Sequence, residues 1–122
     1  MAGFDELLKT TPKGLFCPLG DFYIDPVAPV DRAVITHGHS DHARAGHTHV
    51  LATAETLAIM QARYGFDFAL QTQALNYGDT ITRNGVEIRL APAGHVLGSA
   101  QVVVTFSGAR IVVSGDYKRR RD

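Results

Sequence analysis

The sequence predicts an α/β sandwich, rich in strand and carrying one or two helices on its outside. Two observations lead there. Short apolar runs bounded by Gly, Pro, Asn or Asp outnumber helical stripes along the whole chain. The strands also do not alternate regularly with helices, as a doubly wound sheet would require. At 122 residues the chain is at most one domain, and its 45% hydrophobic content suits a packed core rather than a disordered segment.

The first elements are residues 15–17 and 22–24, two apolar runs punctuated by Gly14, Pro18 and Gly20, which read as a hairpin. Asp25-Pro26 ends the second, and Pro29 lies in the loop beyond. Residues 32–36 (RAVIT) form a buried-type strand, and residues 49–52 (HVLA) another. Thr53 is the expected N-cap of a helix of about three turns that Gly65 stops. Leu57, Met60 and Tyr64 recur at i, i+3 and i+7, the stripe expected to pack on the core. A turn at Tyr77-Gly78-Asp79 opens a β-rich stretch, with residues 86–90 alternating. Residues 101–106 and 110–113 flank Ser107-Gly108 as a hairpin. No internal repeat or low-complexity segment interrupts this order.

Composition excludes several classes. Twelve basic and twelve acidic residues cancel, so overall charge selects no partner. The basic run from Lys118 to Arg121 reads as a solvated end. A single Cys17 rules out an internal disulfide and fits a reducing, cytoplasmic setting; beside Pro18 it reads as a small buried apolar residue. No apolar stretch approaches membrane-spanning length and no secretory leader pattern is present, so no membrane partner is expected.

The chemistry concentrates at the end of the 32–36 strand. Thr36 to His42 reads THGHSDH, placing His37, His39, Asp41 and His42 within six positions and using three of the chain's six His. Imidazole nitrogen and carboxylate oxygen hold zinc-like ions at about 2.0–2.2 Å. His37 and His39, two apart in an extended segment, can chelate one ion, and Asp41 and His42 can reach a second. His95, in the glycine-flanked loop AGHVLGSA, would complete a three-His site with an open fourth position. Asp116, in SGDY just after a strand, could bridge the two ions, although alone it would read as a turn residue. His47 and His49 form a second HxH without a carboxylate, expected at the surface or behind the site. Asp25 either caps the turn at Pro26 or fixes a ligand imidazole from behind, the second being favoured.

THGHSDH resembles the HxHxDH signature of the metallo-β-lactamase fold. Asp25, His95 and Asp116 fall where that superfamily places its first, third and fourth motifs. The AGHVLGSA and SGDY contexts are similar to its β-CASP nuclease branch, and the run from Gly14 to His47, with VVSGDYK, is similar to the bacterial ligase-associated DNA exonucleases. The resemblance implies the N-terminal half of an αββα sandwich, since complete members are roughly two to three times this length. It implies that His37, His39 and His95 bind one zinc, Asp41 and His42 the other, and Asp116 both, with Asp41 and Asp116 the catalytic carboxylates; manganese is the alternative metal. The implied reaction is hydrolysis of nucleic-acid phosphodiester bonds by a metal-bound hydroxide, on DNA rather than RNA, in repair beside a DNA ligase. An RNA-processing β-CASP nuclease and a non-catalytic metal-binding fragment are the alternatives. The last His of the second zinc site and the β-CASP motifs are not found. A 122-residue piece is therefore expected to hold one ion well and to self-associate through uncovered strands. Because His ligands bind metal unprotonated, metal content is expected to fall as pH drops below about 6, measurable by dialysis and elemental analysis.

Overall fold

The computed structural model describes residues 7–36, 45–65, 67–92 and 100–114. They form two sheets and a helix in three layers. The first sheet has six strands in sequential order: β1 (Lys9–Thr11), β2 (Gly14–Cys17), β3 (Phe22–Ile24), β4 (Arg32–Val34), β5 (His49–Ala52) and β6 (Gln71–Ala74). β1 to β3 pair antiparallel, and β3 to β6 pair parallel. The second sheet runs β10 (Ala109–Ser114), β9 (Ala100–Phe106), β8 (Val86–Pro92), β7 (Thr80–Arg83), all antiparallel. Helix α1 (Ala54–Tyr64) links β5 to β6.

Period-2 alternation explains the layering. Phe22, Ile24, Val34 and Leu51 point inward from the first sheet and pack with Val86, Ile88, Leu90, Val102 and Val104 from the second. On the opposite face of the first sheet, Ala33, Val50 and Ala52 pack with Met60 of α1 and with Phe68. β4 and β5 are therefore covered on both sides, as parallel strands require. Gly20 shows how tight the inner layer is. A Cβ there would stand 2.5 Å from the ring of fully buried Phe22 and 3.3 Å from Cys17 Sγ. Cys17 is buried as expected, its sulfur accepting the Gly20 N–H.

Most expected elements appear where the pattern placed them. The hairpin at Ser107-Gly108 pairs in full register, with both residues at positive φ as a two-residue turn of this kind demands. Thr53 caps α1, its hydroxyl accepting the Thr56 N–H, and Gly65 closes the helix at φ 97°. Three strands lay outside the sequence reading, β1, β6 and β7, because their mostly polar sequences (KTT, QTQA, TITR) carry one large apolar residue between them, Ile81, which packs against the core. Backbone pairing forms them. The strand at 32–36 ends regular pairing at Val34, although Ile35 still donates to Leu51 O at 3.0 Å. The helical stripe needs one correction: Met60 is fully buried, but Tyr64 is exposed and lies under the Arg63 guanidinium at 5.0 Å. Thr56 and Met60 are the buried positions, with Leu57 partly covered. One helix, α1, is described as an element, and none among the described residues is long and apolar enough to cross a membrane.

Of the two settings expected for His47, at the surface or behind the site, burial excludes the first. His47 is 2% exposed, and its Nδ1 accepts the Val30 N–H at 3.1 Å. The proton therefore sits on Nε2, which has no partner among the described residues. The same loop is tied at neighbouring points, Gly46 N–H to Phe68 O and Thr48 N–H to Val30 O. Burial pushes the His47 pKa below the ordinary 6.5. The unfolded chain thus takes up a proton near pH 6.5 that the folded imidazole refuses, so this contribution is complete above that pH and shrinks as pH falls through it. Urea unfolding of metal-free protein at pH 7.5 and 5.5 is expected to show lower stability at 5.5. In His47→Gln that pH difference should shrink; an unchanged difference would assign it to other groups.

Candidate metal centre

Each of the six residues expected to bind metal, His37, His39, Asp41, His42, His95 and Asp116, lies outside the described residues. So does the basic run from Lys118 to Arg121. What the structure describes is the frame on both sides of them. The three places where the chain leaves this frame next to a motif are Thr36, Pro92 and Ser114, and they are joined. Thr36 O accepts the Ala100 N–H at 2.8 Å, bonding the end of the β4 segment to the start of β9. Ala100 pairs with Pro92 across the β8–β9 ladder, and the next residue, Gln101, pairs with Ser114 of β10. Two sheets and the three described chain ends that precede or follow the motifs in sequence thus meet around one backbone hydrogen bond. Strand ends are where α/β folds gather their chemistry, since a rigid ladder stops there and loops begin.

Asp25 fixes that meeting point. Its carboxylate is 4% exposed and accepts twice from one residue: the Thr36 N–H on Oδ1 at 2.9 Å and the Thr36 hydroxyl on Oδ2 at 2.7 Å. Asp25 itself sits at φ 48°, a left-handed conformation that Asp tolerates better than most residues, and its N–H donates to Val34 O at 2.9 Å. The positive φ turns the chain out of β3 so that its side chain reaches across to the end of β4. A turn cap does not describe these bonds, and the imidazole option falls on His residues outside the described ones. The two bonds seen clamp the backbone and side chain of the residue just before His37. Thr36 had not been singled out. Its signal was a hydroxyl at the end of an otherwise apolar run, RAVIT, and that hydroxyl is completely buried.

Among the described residues no three His, Cys, Asp or Glu side chains come together in a way that could hold an ion. The described part of the molecule therefore offers no competing centre. The donors that fit a divalent ion by their chemistry, imidazoles and carboxylates, flank the Thr36–Ala100 junction in sequence on all three sides. His47 is not part of it. β4 and β5 run parallel, and His47 precedes β5, so it lies toward the strand starts while Thr36 lies at the strand ends.

Known proteins fit this arrangement. Residues 25–122 match the family described as the metallo-beta-lactamase superfamily. A probable DNA ligase of Opitutus terrae is 35% identical over 111 residues, covering 88% of this chain and 10% of that protein. The endoribonuclease YSH1 of Eremothecium gossypii is 35% identical over 92 residues, covering 75% of this chain and 11% of that protein. The chain thus spans about a tenth of the length of these curated relatives. A metallo-beta-lactamase structure from Cronobacter sakazakii superposes with a TM-score of 0.56 at 19% identity, over 86% of this chain and 55% of that one, a likeness of fold. With the match beginning at Asp25 and taking in the whole junction around Thr36 and Ala100, the chain belongs to the metallo-beta-lactamase superfamily, a fold that implies divalent metal binding.

Proposed function

We propose that this chain is the metal-binding part of a nuclease that hydrolyses phosphodiester bonds of nucleic acid, DNA in preference to RNA, in repair beside a ligase. The observation that supports the reading is the junction of Thr36, Ala100 and Ser114, the described residues nearest the three motifs in sequence. The relatives support the class of substrate: one is named as an endoribonuclease and another as a probable DNA ligase.

In this reading His37, His39 and His95 would hold one zinc, and Asp41, His42 and Asp116 would supply donors toward a second in the complete polypeptide. When bound, such ions polarise a phosphoryl oxygen and lower the pKa of a coordinated water. The chain's own part is orientation. The Asp25 clamp leaves Thr36 without rotational freedom, so the residue after it starts from a fixed direction. Ala100, held by Thr36 O, fixes the return of the AGHVLGSA segment against the same point. Preset geometry of this kind removes reorganisation from the reaction step. Asp41 and Asp116 would supply the negative charge that offsets bound divalent cations.

Asp25→Ala is expected to leave the buried Thr36 N–H and hydroxyl without these acceptors, costing about 1–3 kcal/mol of stability. Zinc affinity should fall by about 10- to 100-fold, as when a group supporting a metal ligand is removed. Competition against a chromophoric chelator measures the second effect, and an unchanged affinity would detach Asp25 from the centre.

The second reading, an RNA-processing nuclease, draws on the endoribonuclease relative. Parallel digestion of labelled single-stranded DNA, duplex DNA and RNA by the complete polypeptide, with zinc, with manganese and after chelation, separates the two. DNA should be cleaved faster, and chelation should abolish turnover. Faster cleavage of RNA would overturn the DNA assignment, and turnover indifferent to chelation would overturn the metal reading as a whole.

A further inference from the structure

A cleft of about 830 Å³ opens between the two sheets at the start of the parallel strands. Arg32, at the start of β4, lies about 13 Å along that segment from Thr36 at the usual strand rise of about 3.3 Å per residue. Arg32, His49 and Gln71 are register partners on three adjacent strands and form one row across the cleft wall. Two residues further along, Val34, Leu51 and Gln73 form the next row on the same face. Opposite them stand Arg83 and Asn84 from the β7–β8 hairpin, with Ile81 and Ile88 lining the apolar part.

The lining is chemically selective. Two guanidinium groups, an imidazole and three side-chain amides face the cleft, and among the described residues no Asp or Glu lines it. Asp31 and Asp21 each touch one of the arginines from outside, at 2.8 and 3.8 Å. Arg83 also donates from Nε to Gly20 O at 2.8 Å. Each guanidinium has five N–H donors, so each keeps several for a ligand. A cationic edge suits a phosphate, which Arg binds with matching geometry. Amides beside an aliphatic floor suit the edge and face of a base. The volume falls within the range of about 300–1,000 Å³ common for small-molecule sites.

We propose that this cleft is a nucleotide-binding site, separate from the metal centre. The phosphate lies at Arg32, His49 and Arg83, and the base lies against partly buried Ile81, its edge facing Gln71, Gln73 and Asn84. The site does not rest on the metal reading, because none of these residues belongs to the metal motifs. The ligand is either a free mononucleotide or the phosphorylated end of a strand.

Titration calorimetry on the whole chain in EDTA tests it, with dAMP, AMP, inorganic phosphate and a 5′-phosphorylated oligodeoxynucleotide as probes. Saturable one-to-one binding of a mononucleotide is expected, weaker for inorganic phosphate and weaker still at high salt. Arg32→Gln should reduce it at least tenfold; its only described ion pair is a surface one, so the fold should survive. Gln71→Leu, on an exposed edge position, is the second variant and should weaken mononucleotides while sparing inorganic phosphate. Binding of the oligonucleotide as tightly as dAMP identifies a strand end as the ligand, and binding of mononucleotides alone identifies the free nucleotide. No saturable binding, binding that both variants retain, or binding that appears only when zinc is restored would overturn the site. All three are read in the absence of turnover, so a failed nuclease assay leaves this result intact.

Discussion

The carboxylate of Asp25 on Thr36 is the constraint around which the functional end of the molecule is arranged. A carboxylate at 4% exposure is costly unless hydrogen bonds replace its water, and both oxygens here accept from the same residue. Two bonds to one residue fix orientation as well as position. Thr36 then passes the constraint on, because its carbonyl accepts from Ala100 on the other sheet. A displacement at Asp25 would therefore move β4 and β9 together, along with every chain segment that leaves from them.

This junction stands on a pair of cores that share strands. β4 and β5 present Val34 and Leu51 to the second sheet and Ala33, Val50 and Ala52 to the helix. A one-residue slip of either strand would exchange the two sets and leave both layers badly packed. Register at Thr36 is thus held from two faces by apolar packing before any metal is considered. The arrangement explains why short strands of three and four residues can carry a precise site: their positions are set by what covers them rather than by ladder length.

The sequence disclosed elements whose formation depends on apolar side chains and missed those that depend on pairing alone. The runs at Phe22–Ile24 and His49–Ala52 and the capped helix after Thr53 follow from composition and spacing. β6 is Gln-Thr-Gln-Ala, exposed throughout, and exists because Thr48, β5 and Ala52 offer it a parallel edge. Tyr64 met the spacing rule yet lies in the helix's last turn, beyond what Phe68 and Met60 cover, so the period extended past the core. For the site, residue types alone pointed to candidate metal donors, because four such residues so close together have little structural use, and these donors lie outside the described residues. Thr36 was not legible, since its role comes from a carboxylate eleven positions earlier in the chain that only folding brings to it. His47 was illegible for the same reason: its partner, Val30, is seventeen positions away.

Strand polarity gives the parallel part of the first sheet two distinct ends, and the described side chains differ between them. Asp25 and Thr36 mark the ends of β3 and β4, next to the acidic and imidazole donors in the sequence; Arg32, His49 and Gln71 mark the starts of β4, β5 and β6. Arg32 lies about 13 Å along its segment from Thr36, beyond a physiological Debye length of about 8 Å, so where solvent intervenes its charge acts only weakly on that end. A phosphate held in the proposed cleft and an ion held beyond Thr36 would therefore act on each other only weakly.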